Sequence, residues 1–156
     1  MPIAPYIGAQ VIAVLFVIAT LRWPRIARLL AGISFIVAGG FNISTALSSP
    51  SLYVTGFGPH ALPIYRTFIY GVFARHAASF VIAIALGQLI VGTAMFAHLR
   101  WRKLGYVGAI LFLVAITPLG IGSAAPSTLI FAVGLAFLLR CDVKCSPVPR
   151  NTQFAD

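Results

Sequence analysis

Acidic side chains are almost missing from this sequence. Its 156 residues include only two of them, Asp142 and Asp156, and both stand near the C-terminus. No Asp or Glu therefore interrupts any of the long apolar stretches. This excludes acid–base catalysis by paired carboxylates inside a membrane, and it argues against a proton-driven pump, which usually needs an intramembrane carboxylate or histidine.

Charge of either sign is scarce as well. Charged residues make up 8% of the chain, whereas a soluble domain carries about 25%. Hydrophobic residues make up 60%, and the mean hydropathy is +1.01. The net charge of +9 comes from short basic clusters at the ends of apolar stretches, so we expect a membrane protein and no nucleic-acid partner. The composition predicts a single all-α integral membrane domain over residues 1–156.

Cysteine and histidine offer few metal ligands. Cys141 and Cys145 predict no disulfide framework, and a thiolate metal site normally needs four ligands. His98 is too far along the chain from His76 to share a metal with it, because 22 helical residues span about 33 Å. A metal or haem between His60 and His76 stays open as an alternative. No nucleophile, P-loop or dinucleotide motif is present, which favours a non-catalytic role.

Five apolar stretches are present, at about 5–21, 26–47, 77–99, 104–121 and 126–140. A helix needs about 20 residues to cross the hydrocarbon core of a bilayer. The pattern predicts a compact bundle of five transmembrane helices, followed by a tail over 141–156.

The basic residues predict the orientation of this bundle. With five crossings, nine of the eleven Lys and Arg residues fall on one side, and only Arg66 and Arg75 fall on the other. Basic residues are retained on the cytoplasmic side during insertion. We therefore expect a plasma (inner) membrane protein with the N-terminus outside and the C-terminus in the cytoplasm.

The outer connection, residues 48–76, contains a second kind of pattern. Its first part has the Ser, Pro and Gly content of a loop. From Pro63 to Arg75, the apolar residues then repeat at helical spacing. We expect an amphipathic helix over 63–75 that lies in the outer interface or packs as a lid over the bundle.

Four polar residues are candidates for ligand binding. Asn42 lies on a face of small and polar residues in the second stretch, and Gln88 lies near the middle of the third. Arg66 and His76 stand close by in the outer connection. Together they predict a pocket between spans two and three for a lipophilic molecule. The competing interpretation is that Asn42 and Gln88 serve helix packing, since polar residues bond across helix interfaces in membranes.

Two segments, RIARLLAGISFIVAGGFNIS (25–44) and ALGQLIVGTAMFAHLRWRKLGYVGAILFLVAI (85–116), resemble the DoxX-like superfamily of small membrane proteins. The resemblance covers about residues 25–140 and rests on glycine, small-residue and arginine placement. It implies a four-helix bundle, and accessory roles in membrane oxidoreductase systems, some of them quinone-linked. This chain departs by adding a span before Arg25 and by carrying Asn42 where lysine is common.

Three functions follow as hypotheses. The first is an accessory subunit of a larger, redox-linked membrane complex, with other membrane subunits as partners. The second is an enzyme or binding protein for a quinone, isoprenoid or lipid, in contact with membrane lipid. The third is a channel or transporter for a neutral or anionic solute. The sequence itself requires no cofactor.

Overall fold

The computed structural model describes residues 3–144, and within this range the chain is helical and contains no strand. The expected all-α fold is therefore confirmed for the described part. We number the seven α-helices in chain order: α1 Ile3–Arg22, α2 Pro24–Ser48, α3 Ser51–Phe57, α4 Pro63–Phe68, α5 Ala77–Ala94, α6 Leu99–Ile116 and α7 Ser127–Lys144. Helix α4 runs on as a π-helix over Ile69–Phe73. Short 3-10 segments lie at Gly58–His60 and Thr117–Ser123.

The five long helices, α1, α2, α5, α6 and α7, alternate in direction around a bundle. Helices α2 and α5 are antiparallel neighbours, as are α6 and α7, where Thr117 contacts Thr128 at one end and Arg102 contacts Asp142 at the other. The first and last helices run parallel, since Tyr6 bonds to Ala125 at their starts. The two ends of the described chain therefore lie at opposite ends of the bundle.

In the described part of the chain, three helical segments are long and apolar enough to cross a membrane: Pro24–Ser48, Ala77–Ala94 and Leu99–Gly120. A shorter apolar helix covers Tyr6–Arg22. Large apolar side chains also cover the outside of the bundle. Phe41 and Ile90 are each 68% exposed, which suits a lipid environment. These features are compatible with a multi-pass membrane protein.

Glycines allow the closest helix contact, between α2 and α5. A Cβ built on Gly92 would lie 2.9 Å from the carbonyl oxygen of Gly32, and one built on Gly39 would lie 3.0 Å from that of Ala85. Any side chain at these positions would push the helices apart. Small residues permit such backbone approach in membrane bundles. Gly32 and Gly39 of the second apolar stretch thus pack against α5.

The helix bounds differ from the expected ones around the turn between α5 and α6. The sequence predicts a third span to residue 99 and a fourth from 104. In the structure, α5 ends at Ala94 and α6 begins at Leu99. Hydropathy assigns Arg100 to Lys103 to a loop because they are polar. These residues form the first turn of α6 because Arg and Lys are good helix formers.

The outer connection is more helical than its composition indicates. The sequence predicts a loop before residue 63, but α3 covers Ser51–Phe57 and a 3-10 turn follows. Pro50 precedes the first helical residue, where a missing N–H is harmless, so the proline does not prevent the helix. Helix α4 and its π-helical continuation occupy most of the predicted amphipathic segment 63–75.

Candidate functional site

A cavity of about 490 Å³ lies at the end of the bundle that is covered by α3 and α4. Ligand pockets for small molecules usually measure about 300–1,000 Å³. The walls come from α2 to α6 and from the 3-10 segment after α6. They are mostly aromatic and aliphatic: Asn42, Tyr53, Phe57, Tyr65, Phe68, Ile69, Phe73, Phe80, Val81, Ile84, Gln88, Phe112, Ala115, Ile116, Leu119, Ser123 and Ala124.

A chain of hydrogen bonds crosses one wall of the cavity. The Tyr53 hydroxyl donates to Asn42 Oδ1 at 2.7 Å, and Asn42 Nδ2 donates to Gln88 Oε1 at 2.7 Å. These residues belong to α3, α2 and α5. The bond between Asn42 and Gln88 confirms the contact that the sequence offered as the packing interpretation. Both residues also line the cavity, so packing and ligand contact coexist in the same pair.

The other polar side chains of the wall bond to the backbone. The Tyr65 hydroxyl donates to the carbonyl of Ala115 at 3.3 Å. Ser123 Oγ donates to the carbonyl of Gly120 at 2.9 Å. Within residues 3–144, no Asp, Glu, Lys, Arg or His lines the cavity. Since an uncompensated charge would be costly there, the cavity suits a neutral molecule.

Arg66 lies outside this cavity, although the sequence places it among the ligand contacts. Its guanidinium donates from Nη2 to the carbonyls of Pro59 at 3.1 Å and Ala61 at 3.3 Å. These carbonyls belong to the turn between α3 and α4. Arg66 therefore stabilises the turn between α3 and α4. We call residues 51–68, which comprise α3, this turn and α4, the cover of the cavity.

His76 lies in a different depression. It is the residue before α5, and its side chain makes no capping hydrogen bond. Together with Arg75 it lines an open groove between the start of α3 and the start of α5. Of the four candidates, the structure brings Asn42 and Gln88 into one site and leaves Arg66 and His76 apart from it.

Two glycines let the cover close tightly. Gly120 has a φ of 67°, and a Cβ built on it would lie 2.4 Å from the carbonyl oxygen of His60. A Cβ on Gly58 would lie 2.5 Å from the Tyr70 ring. Gly120 therefore lets the turn after α6 meet the turn after α3, and Gly58 lets the turn after α3 meet Tyr70 of the π-helix.

Aromatic residues of the cavity were not predicted from the sequence. Phe68, Phe73 and Phe80 form a cluster with ring centroids 5.6–6.1 Å apart. The sequence does contain a signal for this cluster. Phe68 and Phe73 belong to the aromatic-rich outer connection, and Phe80 lies one turn into α5. For Tyr53, the sequence predicts no more than a position at the membrane interface, where tyrosine is enriched. Its role in the hydrogen-bond chain depends on α3, which the sequence did not reveal.

Metal binding finds no support among the described residues. Within residues 3–144, no group of three or more His, Cys, Asp or Glu side chains could hold a metal ion. Cys141 is a free, exposed cysteine, and Cys145 lies outside the described residues.

Asp142, the only acid in the described part, lies at the opposite end of the bundle from the cavity. Its Oδ2 is 2.5 Å from Arg102 Nε, and this ion pair joins α6 and α7. It also forms a side-chain hydrogen bond with Tyr106 of α6. The acid has a structural role far from the candidate site.

Comparison with known proteins gives no relative from which an activity could be inferred. No family model, no curated protein and no solved structure matches this chain. The resemblance to the DoxX-like superfamily stays a prediction, and the functional argument rests on the geometry of the cavity.

Proposed function

We propose that this chain is a multi-pass membrane protein that binds a neutral lipophilic small molecule in the cavity beneath α3 and α4. One observation carries the proposal: a cavity of about 490 Å³ with aromatic and aliphatic walls and an amide pair, Asn42 and Gln88, at one wall. Such a combination of apolar walls and a few fixed polar groups is typical of small-molecule sites. Quinones, isoprenoids and lipids share this chemistry.

We propose further that all five long helices cross the membrane. Alternating directions place Arg22, Arg25 and Arg28 at the same end as Arg100, Arg102, Lys103 and Arg140, and we call this the basic end. Among the basic residues within 3–144, only Arg66 and Arg75 lie at the cavity end. By the positive-inside rule, the basic end and the C-terminus are cytoplasmic in the plasma (inner) membrane, and the N-terminus is outside. The cavity then lies in the outer leaflet, within reach of lipid-soluble molecules.

The role as an accessory subunit is the second proposal, and it is less well supported by the described residues. The sequence offers small residues on α2 as a surface for partner helices. In the structure, Gly32 and Gly39 face α5 of the same chain. These two glycines are therefore used inside the bundle and do not offer a contact for a partner helix. A channel is less well supported still, because the cavity lies at one end of the bundle and not along its length.

Mass spectrometry of molecules that stay bound after purification in mild detergent tests the proposal. Ala115→Trp should fill the cavity, because Ala115 lies on its wall and is not buried by neighbouring side chains. Val114→Trp is the matched control, since Val114 is 49% exposed and does not line the cavity. We expect a neutral lipophilic compound with the wild type and with Val114→Trp, and its loss with Ala115→Trp. Equal retention by all three proteins would show that the cavity is not the binding site.

A further inference from the structure

We infer that Gln88 Nε2 is the recognition group of the cavity, and that the ligand carries a neutral hydrogen-bond acceptor, such as a carbonyl oxygen, at the end that lies against α5. This inference rests on the proposed function, because it names the head group that the same site selects. It also assigns different roles to Asn42 and Gln88, which the sequence could not separate.

The hydroxyl groups on the cavity wall already have hydrogen-bond acceptors within the protein. The hydroxyl hydrogens of Tyr53, Tyr65 and Ser123 are donated to Asn42 Oδ1 and to the carbonyls of Ala115 and Gly120. A hydroxyl has only one hydrogen to donate. The donors left on the wall are therefore amide N–H groups, which belong to Asn42 and Gln88.

The amides of Asn42 and Gln88 differ in the atoms that they use for hydrogen bonds. Asn42 uses both ends of its amide, since Oδ1 accepts from Tyr53 and Nδ2 donates one of its two hydrogens to Gln88. Gln88 uses only its oxygen. Among residues 3–144, Nε2 of Gln88 has no acceptor, although an amide nitrogen carries two hydrogens.

The unpaired nitrogen, Gln88 Nε2, belongs to a buried side chain that borders the cavity. Gln88 is only 6% exposed, so its amide is removed from bulk solvent and lipid. In the described part of the chain, only Gln10 Oε1 is a fully enclosed side-chain N or O atom without a partner. Gln88 Nε2 therefore retains accessible surface, and the space that Gln88 borders is the cavity. An unpaired donor in such surroundings is costly until an acceptor reaches it.

The two hydrogen bonds that join Tyr53, Asn42 and Gln88 run in the same direction. Tyr53 donates to Asn42, and Asn42 donates to Gln88, so each bond polarises the next in the same direction. The chain ends at Gln88 Nε2, which is thereby held in place as a donor. Tyr53 and Asn42 are positioning residues in this arrangement, and Gln88 is the group that touches the ligand. Because no charged side chain of residues 3–144 lines the cavity, the acceptor is expected to be uncharged.

A matched pair of probes tests the inference: 2-decanoylnaphthalene, which has a carbonyl, and 2-decylnaphthalene, which lacks it. Binding is measured by equilibrium dialysis of the full chain at one detergent concentration, with Ala115→Trp as the blocked reference. We expect the wild type to bind the ketone about five-fold more tightly than the hydrocarbon, the factor of about one net hydrogen bond. Gln88→Met should lose this preference and still bind the hydrocarbon.

Thr93→Val is the control on the same helix, because the Thr93 hydroxyl bonds to the backbone carbonyls of Leu89 and Ile90 and does not line the cavity. It should keep the ketone preference. A preference unchanged in Gln88→Met would overturn the inference. Equal wild-type binding of both probes would do the same and leave the proposed function intact. If the wild type binds neither probe, the proposed function is wrong, and the inference falls with it.

A measurement on the wild type alone covers the case in which Gln88→Met does not fold. The carbonyl stretch of the bound ketone is isolated as the infrared difference between ¹²C- and ¹³C-labelled probe. We expect a lower frequency than for the same ketone in an alkane, because hydrogen bonding weakens the C=O bond. The frequency found in alkane would contradict the assignment of Gln88 as donor.

Discussion

Asn42 Nδ2 lies 2.7 Å from Gln88 Oε1 and thereby joins α2 to α5 across 46 positions of the chain. The pair sits where the apolar core meets the cavity. It therefore has two effects: it holds the helices in register, and it fixes the direction in which the Gln88 amide points. Both the stability of the bundle and the binding of the ligand therefore depend on this bond.

Asn42→Leu should destabilise the protein by about 1–3 kcal/mol. The substitution leaves the Tyr53 hydroxyl and Gln88 Oε1 without their partner, and the loss of a partner for a buried polar group has a cost of this size. Thermal unfolding in detergent measures the effect. In the double variant Asn42→Leu/Gln88→Leu, the loss should be smaller than the sum of the two single losses. Strict additivity would show that the two side chains do not interact.

Gly39→Leu should destabilise the bundle, whereas Gly40→Leu should be tolerated. A Cβ on Gly39 would lie 2.9 Å from the Leu89 side chain and 3.0 Å from the carbonyl oxygen of Ala85, while a Cβ on Gly40 would meet nothing within 4 Å. Overpacking of this kind costs about 1–3 kcal/mol or more. The comparison of unfolding temperatures tests the close approach of α2 and α5. A larger loss with Gly40→Leu would contradict the observed faces of α2.

Arg102→Met should lower stability by about 1 kcal/mol or less. The pair of Arg102 and Asp142 links α6 to α7, but the two side chains keep 20% and 17% of their surface exposed, so solvent screens the interaction. Arg100→Met, an exposed arginine on the same helix, serves as the control and should have a smaller effect. Thermal unfolding at low and high salt measures both. An effect of Arg102→Met that equals the control at low salt would remove this pair from the account.

Single cysteines test the proposed crossings. In a background of Cys141→Ser and Cys145→Ser, a cysteine at Gly56 should react with a membrane-impermeant maleimide added outside cells, because nothing lies within 4 Å of this position on α3. A cysteine at Trp23, 59% exposed at the basic end, should react only after permeabilisation. Reaction of both positions from the same side would contradict an arrangement with opposite ends on opposite sides.

The core of the fold could be predicted from hydropathy and charge. The long helices follow the apolar stretches because each must satisfy its own backbone in lipid. Hydropathy does not define the helix ends in the same way. The pattern assigns the charged residues from Arg100 to Lys103 to a turn, but such residues also suit the first turn of a helix, which is where α6 contains them. Helix α3 was missed because Pro50, Gly56 and Pro59 are typical of loops, and tertiary contacts override that local preference.

The candidate site was predicted in part. Asn42 and Gln88 stand out because an amide within an apolar stretch is costly without a partner, so their pairing follows from physical chemistry. Arg66 and His76 were included for their position in the outer connection. Sequence spacing there does not show which way a side chain points, and the structure places Arg66 on the backbone of the cover and His76 in a separate groove.

The central claim is that the cavity holds a neutral lipophilic molecule with its acceptor on Gln88, and a density map of the protein purified in mild detergent tests it most directly. The account predicts non-protein density between α3, α4 and α5, with one end within hydrogen-bond distance of Gln88 Nε2. A map in which the cavity has collapsed, with wall side chains such as Phe68 and Phe80 filling the space, would contradict the account.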